Sequence, residues 1–322
     1  KDTPYSFLYS VLNQDNRFFP RSFSNLSVII RKKIIIVLKE ITKSDYVVVG
    51  GGSLLQDSTS FRSLIYYSFL LWWAQIFHRP LIFYRCGLGP FHKVLSQKLV
   101  AFILKRVKLF IARDHESAEL AKRLGGYSNR IKIGIDPVVT NYKNILTITQ
   151  AKPTVSFFVR NCSRPYEEKL IDSLKYLQAR IQERIEIVAF HYNYDYKIAS
   201  RIANQIGCQW KYFQSIEEIP LYFHQLAAVF TMRLHPAILS AMMDVPWFAL
   251  NIDPKIESFA NWWEKNNLVA WQDLSQETFF RLFEQRDNIF KKNNELMKQL
   301  KRLDDQSRIW LREFFDQKNH FY

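Results

Sequence analysis

Two segments in the second half of the sequence carry side chains that are well suited to chemistry. The segment "FTMRLHPAILSAMM" is typical of a strand that turns into a helix, and it places Arg233 and His235 at the turn. The segment "WFALNIDPKIESF" places Asp253 and Lys255 after the next strand. Two cations, an imidazole and a carboxylate at neighbouring strand ends can bind a small polyanion and supply a proton. The alternative interpretation is a core histidine beside ordinary surface charges.

Two earlier strands of this half also end in polar side chains. Arg160 directly follows the strand in "FFVRN", and "FHYNYD" places His191 and Asp195 four residues apart. We expect His191 to end the strand and Asp195 to cap the helix that follows. Because these residues are too few for a zinc site, we predict that no metal takes part.

A glycine-rich segment, "VVVGGGSLLQD", ends a strand in the first half of the chain. It fits neither the GxGxxG pattern nor the P-loop, so it supports neither a dinucleotide site nor a nucleoside triphosphate site. Its consecutive backbone N–H groups can still bind an anion near a helix start. The alternative is a tight turn into a helix that Ser53 caps. Asp57 is either a catalytic acid or base, or a carboxylate on a helix face.

Two further strand ends in this half have glycines or charges. The segment "YRCGLGP" ends a strand with glycines, and "FIARDHES" places Arg113 and Asp114 just before a helix. The guanidinium of Arg113 can bind a phosphate or a carboxylate through two parallel hydrogen bonds. Alternatively, this pair of residues serves to cap the helix.

These side chains need a scaffold that brings strand ends together. Short apolar strands alternate with helical segments along the first half, and the alternation resumes after a turn-rich stretch at residues 140–153. This order predicts an α/β fold with parallel sheets covered on both faces, in two domains that meet across a crevice. Apolar residues spaced by threes and fours from about Gln276 onward predict long C-terminal helices. The predicted domains are residues 1–147, 148–275 and 276–322.

Length and composition limit the function. A chain of 322 residues that is 48% hydrophobic can fill two cores, and its net charge of +15 favours anionic partners. Lys and Arg form no block typical of a nucleic-acid-binding tail, so we predict no nucleic acid partner. The three cysteines lie far apart, which fits a reducing, cytoplasmic setting. The first residues, "KDTPYSFLYS", are typical of the interior of a domain rather than of its start.

The most apolar window is "LIYYSFLLWWAQIF", from Leu64 to Phe77. It is too short to span a bilayer and therefore predicts a buried helix. Its aromatic residues leave contact with a membrane interface as the alternative.

Seven segments, in their order along the chain, resemble the polysaccharide pyruvyl transferases: "GGGSLLQD", "GLGP", "RDHES", a strand followed by "DP", "FHYNYD", "MRLH" and "DPK". Enzymes of this family move the carboxyvinyl unit of phosphoenolpyruvate onto a sugar as a pyruvate ketal. The resemblance implies two Rossmann-like domains of the glycosyltransferase-B type, whose sheets face a cleft that holds phosphoenolpyruvate. The first domain is then the acceptor side and the second the donor side. Two features depart from the family: Cys86 stands where Gln is usual, and the N-terminal Gly-Asp-Glu element is absent.

The resemblance also implies roles for single residues. Arg233, His235 and Lys255 are expected at the donor, and Arg113 and Arg160 are assigned as further phosphoenolpyruvate ligands. His235, with an unperturbed pKa of ~6.5, is the expected proton carrier.

The acceptor side is less specific. We expect a base, Asp57 or Asp253, to act on the sugar hydroxyls. The residues expected to bind the acceptor are Gly51, Gly52, Ser53, Gln56 and His191. No cofactor is expected beyond phosphoenolpyruvate as co-substrate.

Two competing functions stay open at this point. A glycosyltransferase that uses a nucleotide sugar would have the same architecture, and a basic module that binds nucleic acid or acidic lipid would have the same charge. For the pyruvyl transferase, the expected acceptor is a lipid- or nucleotide-linked precursor of a cell-wall or exopolysaccharide. A lipid-linked acceptor would draw a cytoplasmic enzyme to the inner face of the plasma membrane.

Overall fold

The computed structural model describes residues 28–58, 60–140, 154–263 and 266–319. The chain forms two compact units, Lys1–Ile133 and Gly134–Tyr322. Ile135 and Val139 are buried in a core of the second unit, so the chain enters that unit directly after Ile133. The predicted boundary between residues 147 and 148 lies outside the described residues.

The first unit contains a four-stranded parallel sheet with the order β1-β2-β3-β4. Its strands are β1 (Val47–Gly50), β2 (Leu81–Cys86), β3 (Val107–Ala112) and β4 (Ile131–Ile133). Its helices are α1 (Val28–Lys43), α2 (Phe61–Ile76), α3 (Val94–Leu104) and α4 (His115–Arg123). Each strand pairs with the next one in sequence, so right-handed crossovers place α2, α3 and α4 on one face of the sheet.

The start of α2 corrects one sequence-based expectation. The residue that caps this helix is Ser60, whose Oγ accepts the backbone N–H of Ser63 at 3.4 Å. Ser53, the expected cap, lies seven residues earlier in the loop after β1. The buried helix predicted from the apolar window is present, with Leu64, Leu71 and Ala74 in the core.

The second unit contains a six-stranded parallel sheet with the order β10-β9-β8-β5-β6-β7. Its strands are β5 (Thr154–Val159), β6 (Arg184–Ala189), β7 (Gln209–Tyr212), β8 (Leu226–Thr231), β9 (Trp247–Asn251) and β10 (Leu268–Ala270). Its helices are α5 (Arg164–Gln178), α6 (Tyr192–Ile206), α7 (Glu218–Phe223), α8 (Leu234–Met242), α9 (Pro254–Ala260), α10 (Thr278–Glu284) and α11 (Arg286–Asn319).

The order of these strands creates a switch point beside β5. The chain proceeds from β5 to β6 on one side, and later places β8 against the other side of β5. The loops that leave β5 and β8 therefore diverge to opposite faces of the sheet and open a crevice at the carboxyl ends of the strands. Open α/β sheets bind their ligands at such crevices.

The predicted fold class is confirmed: both units are α/β with parallel sheets, and the chain ends in long helices. The C-terminal helices complete the second unit, because Phe279, Phe283 and Leu300 are buried in its cores. Within the described ranges, no helix has the length and apolar character needed to cross a membrane.

Candidate active site

Four neighbouring strands of the second unit deliver polar side chains to one edge of the sheet. Arg160 follows β5, His191 follows β6 and Arg233 follows β8. Asp253 follows β9, which is the next strand after β8 in the sheet. Because all four strands run parallel, these side chains lie at the same, carboxyl edge, and the switch point lies in their midst. The sequence predicted each of them at a strand end, and the strand order makes them neighbours.

The backbone around Arg233 is fixed by a buried threonine. The Oγ1 of Thr231 accepts the backbone N–H of Arg233 at 2.9 Å and donates to its carbonyl at 2.8 Å. Arg233 then serves as the N-cap residue of α8. The turn therefore directs the guanidinium to the crevice side of the strand end, and its position depends on the buried hydroxyl.

The guanidinium of Arg233 is paired with Asp195. Its Nη2 donates to Oδ1 of Asp195, whose side chain is 0% exposed while that of Arg233 is 19% exposed. Among the residues that the structure describes, the buried Nε of Arg233 has no hydrogen-bond acceptor. A buried guanidinium N–H normally has a partner, so this group retains capacity to bind an anionic oxygen.

The role expected for Asp195 needs correction. His191 is the N-cap residue of α6, and Asp195 lies inside its first turn. Oδ2 of Asp195 accepts the backbone N–H of His191 at 3.0 Å, while Oδ1 binds Arg233. The carboxylate thus ties the end of β6 to the end of β8. A pure capping role was expected because the sequence does not reveal that these two strand ends lie close together.

The end of β9 is built around Asp253. This residue is the N-cap of α9 and accepts the backbone N–H of Lys255 at 3.0 Å. Its other oxygen forms an ion pair with Nη1 of Arg160 at 3.3 Å, and both side chains are partly exposed. Lys255 and Asp253 are thus held on one turn, and Arg160 joins that turn to the end of β5.

The two histidines of this edge share the ring of Phe190. The ring centre of Phe190 lies 5.5 Å from that of His191 and 6.3 Å from that of His235. Desolvation, and then the charge of Arg233, lower the pKa of His191, although Asp195 opposes this shift. His191 is therefore neutral at pH 7, and its imidazole can accept one hydrogen bond and donate another.

In the first unit, the loops after β1 and β2 run side by side. The backbone N–H of Gly87 donates to the carbonyl of Gly52 at 2.7 Å, and that of Gly89 donates to Leu55 at 2.9 Å. Gly52 has a φ of +58°, a conformation that L side chains rarely adopt. Glycine is thus required here by the turn.

Gly87 allows a close approach of Arg113 to Ser53. A Cβ at Gly87 would lie 2.2 Å from Oγ of Ser53 and 2.7 Å from Nη2 of Arg113. Without it, Arg113 donates to Ser53 at 3.3 Å and, through Nε, to Asp114 at 3.2 Å. Asp114 also caps α4 by accepting the N–H of Ser117 at 2.7 Å. The expected capping is present and comes from Asp114, while Arg113 is a buried cation that Ser53 and Asp114 orient.

Asp57 is engaged at the start of α3. Its carboxylate accepts the N–H groups of His92 at 2.7 Å and Lys93 at 3.0 Å, and the hydroxyl of Ser96 at 2.6 Å. Desolvation raises the pKa of Asp57, but the hydrogen bond from Ser96 and those from the backbone outweigh it, so the pKa is lowered. A carboxylate that accepts three hydrogen bonds at a helix N-terminus holds two segments together. Nearby, Oε1 of Gln56 accepts from Ser58 at 3.1 Å.

The family model described as polysaccharide pyruvyl transferase matches residues 1–254. The chain belongs to the polysaccharide pyruvyl transferase family. Among curated proteins, no match is found.

Solved structures of similar fold have a low sequence identity to this chain. Anabaena Alr3699/HepE, in complex with UDP and glucose, is 13% identical with a TM-score of 0.56, and the alignment covers 92% of this chain and 84% of that chain. The UDP-GlcNAc 2-epimerase from Neisseria meningitidis, bound to UDP-GlcNAc, is 12% identical with a TM-score of 0.58, covering 98% and 90%. At this identity the likeness shows the fold alone, which is of the glycosyltransferase-B type.

Two features of the candidate site were missed by sequence reasoning. Asp195 was assigned to capping although it binds Arg233, and Gly87 was not singled out although it makes room for Arg113. Cys86, which departs from the family pattern, is a buried thiol whose Sγ donates to the carbonyl of Val49 at 3.0 Å. Burial raises its pKa to about 12, so it stays protonated. Within the described ranges, no cluster of three or more His, Cys, Asp and Glu is suited to a metal ion.

Proposed function

We propose that this protein transfers the pyruvyl group of phosphoenolpyruvate to two hydroxyls of a sugar, forming a pyruvate ketal and releasing phosphate. Family membership supports a pyruvyl transferase acting in polysaccharide synthesis. The observation that carries the choice of donor is the cation cluster at the switch point of the second unit. There Arg160 and Arg233 lie at the ends of β5 and β8, with Lys255 on the turn after β9.

The donor needs this arrangement of charge. Phosphoenolpyruvate carries a phosphate and a carboxylate, and three protein cations can neutralise both groups without a metal ion. We assign Arg233 to direct contact because its Nε has no acceptor within the described part of the protein and its other end is held by Asp195. Lys255 and Arg160 are assigned to the remaining charges, and Arg113 of the first unit is assigned to the donor as well.

The chemistry requires one proton donor and one base. A proton moves from His235 to the methylene carbon of the donor, a sugar hydroxyl adds to the neighbouring carbon, and a second hydroxyl of the sugar displaces the phosphate. The proton of the first hydroxyl returns to His235 and restores its imidazolium, and the proton of the second passes through a carboxylate base to the released phosphate. We favour Asp253 over Asp57 as the base, because Asp57 already accepts three hydrogen bonds and Asp253 accepts one backbone N–H and an exposed arginine.

For the acceptor we propose contacts with the loop after β1 and with the neutral His191. The loop residues are Gly51, Gly52, Ser53 and Gln56. A neutral imidazole can accept a hydrogen bond from a sugar hydroxyl, and the lowered pKa of His191 keeps it in that form. We propose a lipid- or nucleotide-linked precursor of a cell-wall or exopolysaccharide as the acceptor, and a cytoplasmic enzyme that works at the inner face of the plasma membrane.

The transfer itself is the test. Purified protein is incubated with phosphoenolpyruvate and defined lipid-linked or nucleotide-linked glycans, and mass spectrometry detects the added pyruvyl unit. Arg233→Ala and His235→Ala are expected to abolish transfer with the fold intact, whereas Lys255→Ala is expected to raise the KM for phosphoenolpyruvate. Lys122→Ala is the matched control, since that lysine pairs with Glu119 on the surface of α4. Full transfer by Arg233→Ala would remove this residue from the site.

Two competing functions give different results. A glycosyltransferase that uses a nucleotide sugar would be stabilised in a thermal-shift screen by UDP-sugars and not by phosphoenolpyruvate. A basic module that only binds polyanions would lose affinity steeply with salt and would retain it in His235→Ala. Saturable stabilisation by phosphoenolpyruvate that depends on Arg233 contradicts both.

A further inference from the structure

Helix α2 presents an apolar stripe to solvent. Four of its residues are between 38% and 48% exposed: Ile65, Phe69, Trp72 and Ile76. They are spaced by four, three and four residues, so they lie along one side of the helix. The opposite side, with Leu64 and Leu71, is buried against the core. Here we call this exposed set the α2 stripe. A contiguous apolar surface of this kind marks an interaction site rather than scattered exposed residues.

The neighbouring helix α3 continues this surface with mixed apolar and basic residues. The side chains of Leu95, Lys98, Phe102 and Lys105 are exposed and spaced by three, four and three residues. The two helices are joined where Nε2 of Gln75 donates to the carbonyl of Ile103 at 3.1 Å. Since α2 and α3 lie on the same face of the sheet, both stripes point away from it on the same side of the unit.

The charge of this region has one sign. From Ser58 to Arg113 inclusive the sequence contains no Asp or Glu and nine Lys or Arg, of which Arg85 and Arg113 are buried. Arg106, which directly follows α3 and Lys105, is exposed and lies over the ring of Phe102 at 5.4 Å. The surface formed by the α2 stripe and the exposed side of α3 is therefore both apolar and cationic.

This combination selects the class of partner. An anionic membrane attracts Lys and Arg at its surface and accepts apolar and aromatic side chains at the level of its headgroups. Trp72 and Phe69 are typical of that level. Nucleic acid would use the cations but would leave Ile65 and Ile76 in water, since its outer surface is phosphate.

We propose that the α2–α3 surface binds directly to an anionic lipid membrane, with the α2 stripe among the headgroups and Lys98, Lys105 and Arg106 at the lipid phosphates. This contact uses none of the residues assigned to pyruvyl transfer. Its purpose, to bring the enzyme to a lipid-linked acceptor, rests on the proposed function, whereas the binding itself does not. The two proposals can therefore fail separately.

Vesicle flotation tests the contact. The full chain is mixed with phosphatidylcholine vesicles that contain or lack about one-third phosphatidylglycerol, at low and at high salt. We expect binding to the anionic vesicles only, with loss at high salt. The variant Lys98→Gln/Lys105→Gln should weaken the partition coefficient about 30-fold, since each basic residue near an anionic surface contributes about fivefold. The variant Phe69→Ser/Trp72→Ser should weaken it at least about tenfold.

Matched variants control for exposure and charge. Leu221→Ser removes a side chain that is 65% exposed on α7 of the second unit, and Arg164→Gln removes an exposed charge at the start of α5 of the same unit. Neither should change flotation. Circular dichroism and the thermal midpoint show whether each variant folds, and the lysine variant keeps the test valid if the aromatic one does not fold.

Several results would overturn the proposal. These are absence of flotation at low salt, equal binding to neutral vesicles, or equal loss in the control variants. Light scattering measures whether the apolar surface instead binds a second copy of the chain. A dimer that dissociates in Phe69→Ser/Trp72→Ser, without any vesicle binding by the wild type, would replace the membrane with a dimer interface. Transfer to a water-soluble acceptor should be unchanged in these variants, which separates this failure from failure of the proposed function.

Discussion

Gly87→Ala is a small change with a calculable effect on Arg113. The new Cβ would lie 2.7 Å from Nη2 of Arg113 and 2.2 Å from Oγ of Ser53, whereas ordinary contact begins near 3.4 Å. The guanidinium must therefore retreat by about 0.7 Å and the hydroxyl must rotate away, which breaks their hydrogen bond. A hydrogen bond to a charged group contributes about 1.5–3 kcal/mol.

The expected losses differ for stability and for catalysis. Arg113 keeps its pair with Asp114 and both displaced groups are flexible, so we expect the free energy of unfolding to fall by only about 1–2 kcal/mol. If Arg113 contacts the donor, a shift of this size should lower kcat/KM for phosphoenolpyruvate about 10- to 100-fold. Steady-state kinetics with each substrate varied in turn, together with denaturant unfolding, measure the two quantities.

Two control variants separate the effect of the steric clash from the effect of replacing a glycine. A Cβ at Gly50 would meet nothing within 4 Å, so Gly50→Ala should leave the kinetics unchanged. Ser53→Ala removes the hydrogen bond without adding an atom at Gly87. Wild-type kinetics in Gly87→Ala would refute the assignment of Arg113 to a substrate, and a raised KM for the acceptor alone would move Arg113 from the donor to the acceptor.

Three further predictions concern Asp195, His191 and Asp57. Asp195→Asn should lower the free energy of unfolding, measured by calorimetry, by about 2–3 kcal/mol. This is less than the full cost of breaking a buried ion pair, because Arg233 is partly solvated. NMR titration should find the pKa of His191 below ~6.5 and raised in Arg233→Met; an unshifted value in both proteins would contradict the cluster. Since the unfolded chain binds this proton first as the pH falls below about 6.5, His191 should lower stability there and not at higher pH. Asp57→Ala should lower the free energy of unfolding by about 1–2 kcal/mol, because the start of α3 loses three hydrogen bonds, and it should leave some transfer activity. Complete loss of transfer in a folded variant would make Asp57 the base.

The elements and the candidate strand ends could be predicted from local pattern. Short apolar runs that alternate with amphipathic segments indicate a parallel sheet, and the carboxyl ends of its strands are where polar residues collect. For this reason the sequence alone predicts Arg160, Arg233 and Asp253 as members of the site. The predicted position of the N-cap of α2 was wrong by seven residues, because Ser53 and Ser60 have the same intrinsic preference for an N-cap position.

The pairings between strand ends could not be predicted. Asp195 and Arg233 are 38 residues apart, and they meet only because β6, β5 and β8 are successive strands in the sheet. Strand order does not follow from the pattern of any single strand. The same holds for Gly87, whose role depends on loops from three strands that approach within hydrogen-bond distance. Sequence pattern thus predicts the members of the site, and sheet topology decides which of them touch.

Binding of phosphoenolpyruvate tests the central claim most directly, because it requires no knowledge of the acceptor. Isothermal titration of phosphoenolpyruvate should give saturable binding to the wild type that is weakened about tenfold or more in Arg233→Ala, as expected for one lost hydrogen bond to a charged group. Lys122→Ala should bind like the wild type, and UDP-sugars should not compete. Absence of phosphoenolpyruvate binding, or binding that is unchanged in Arg233→Ala, would contradict a donor site at the switch point of the second unit.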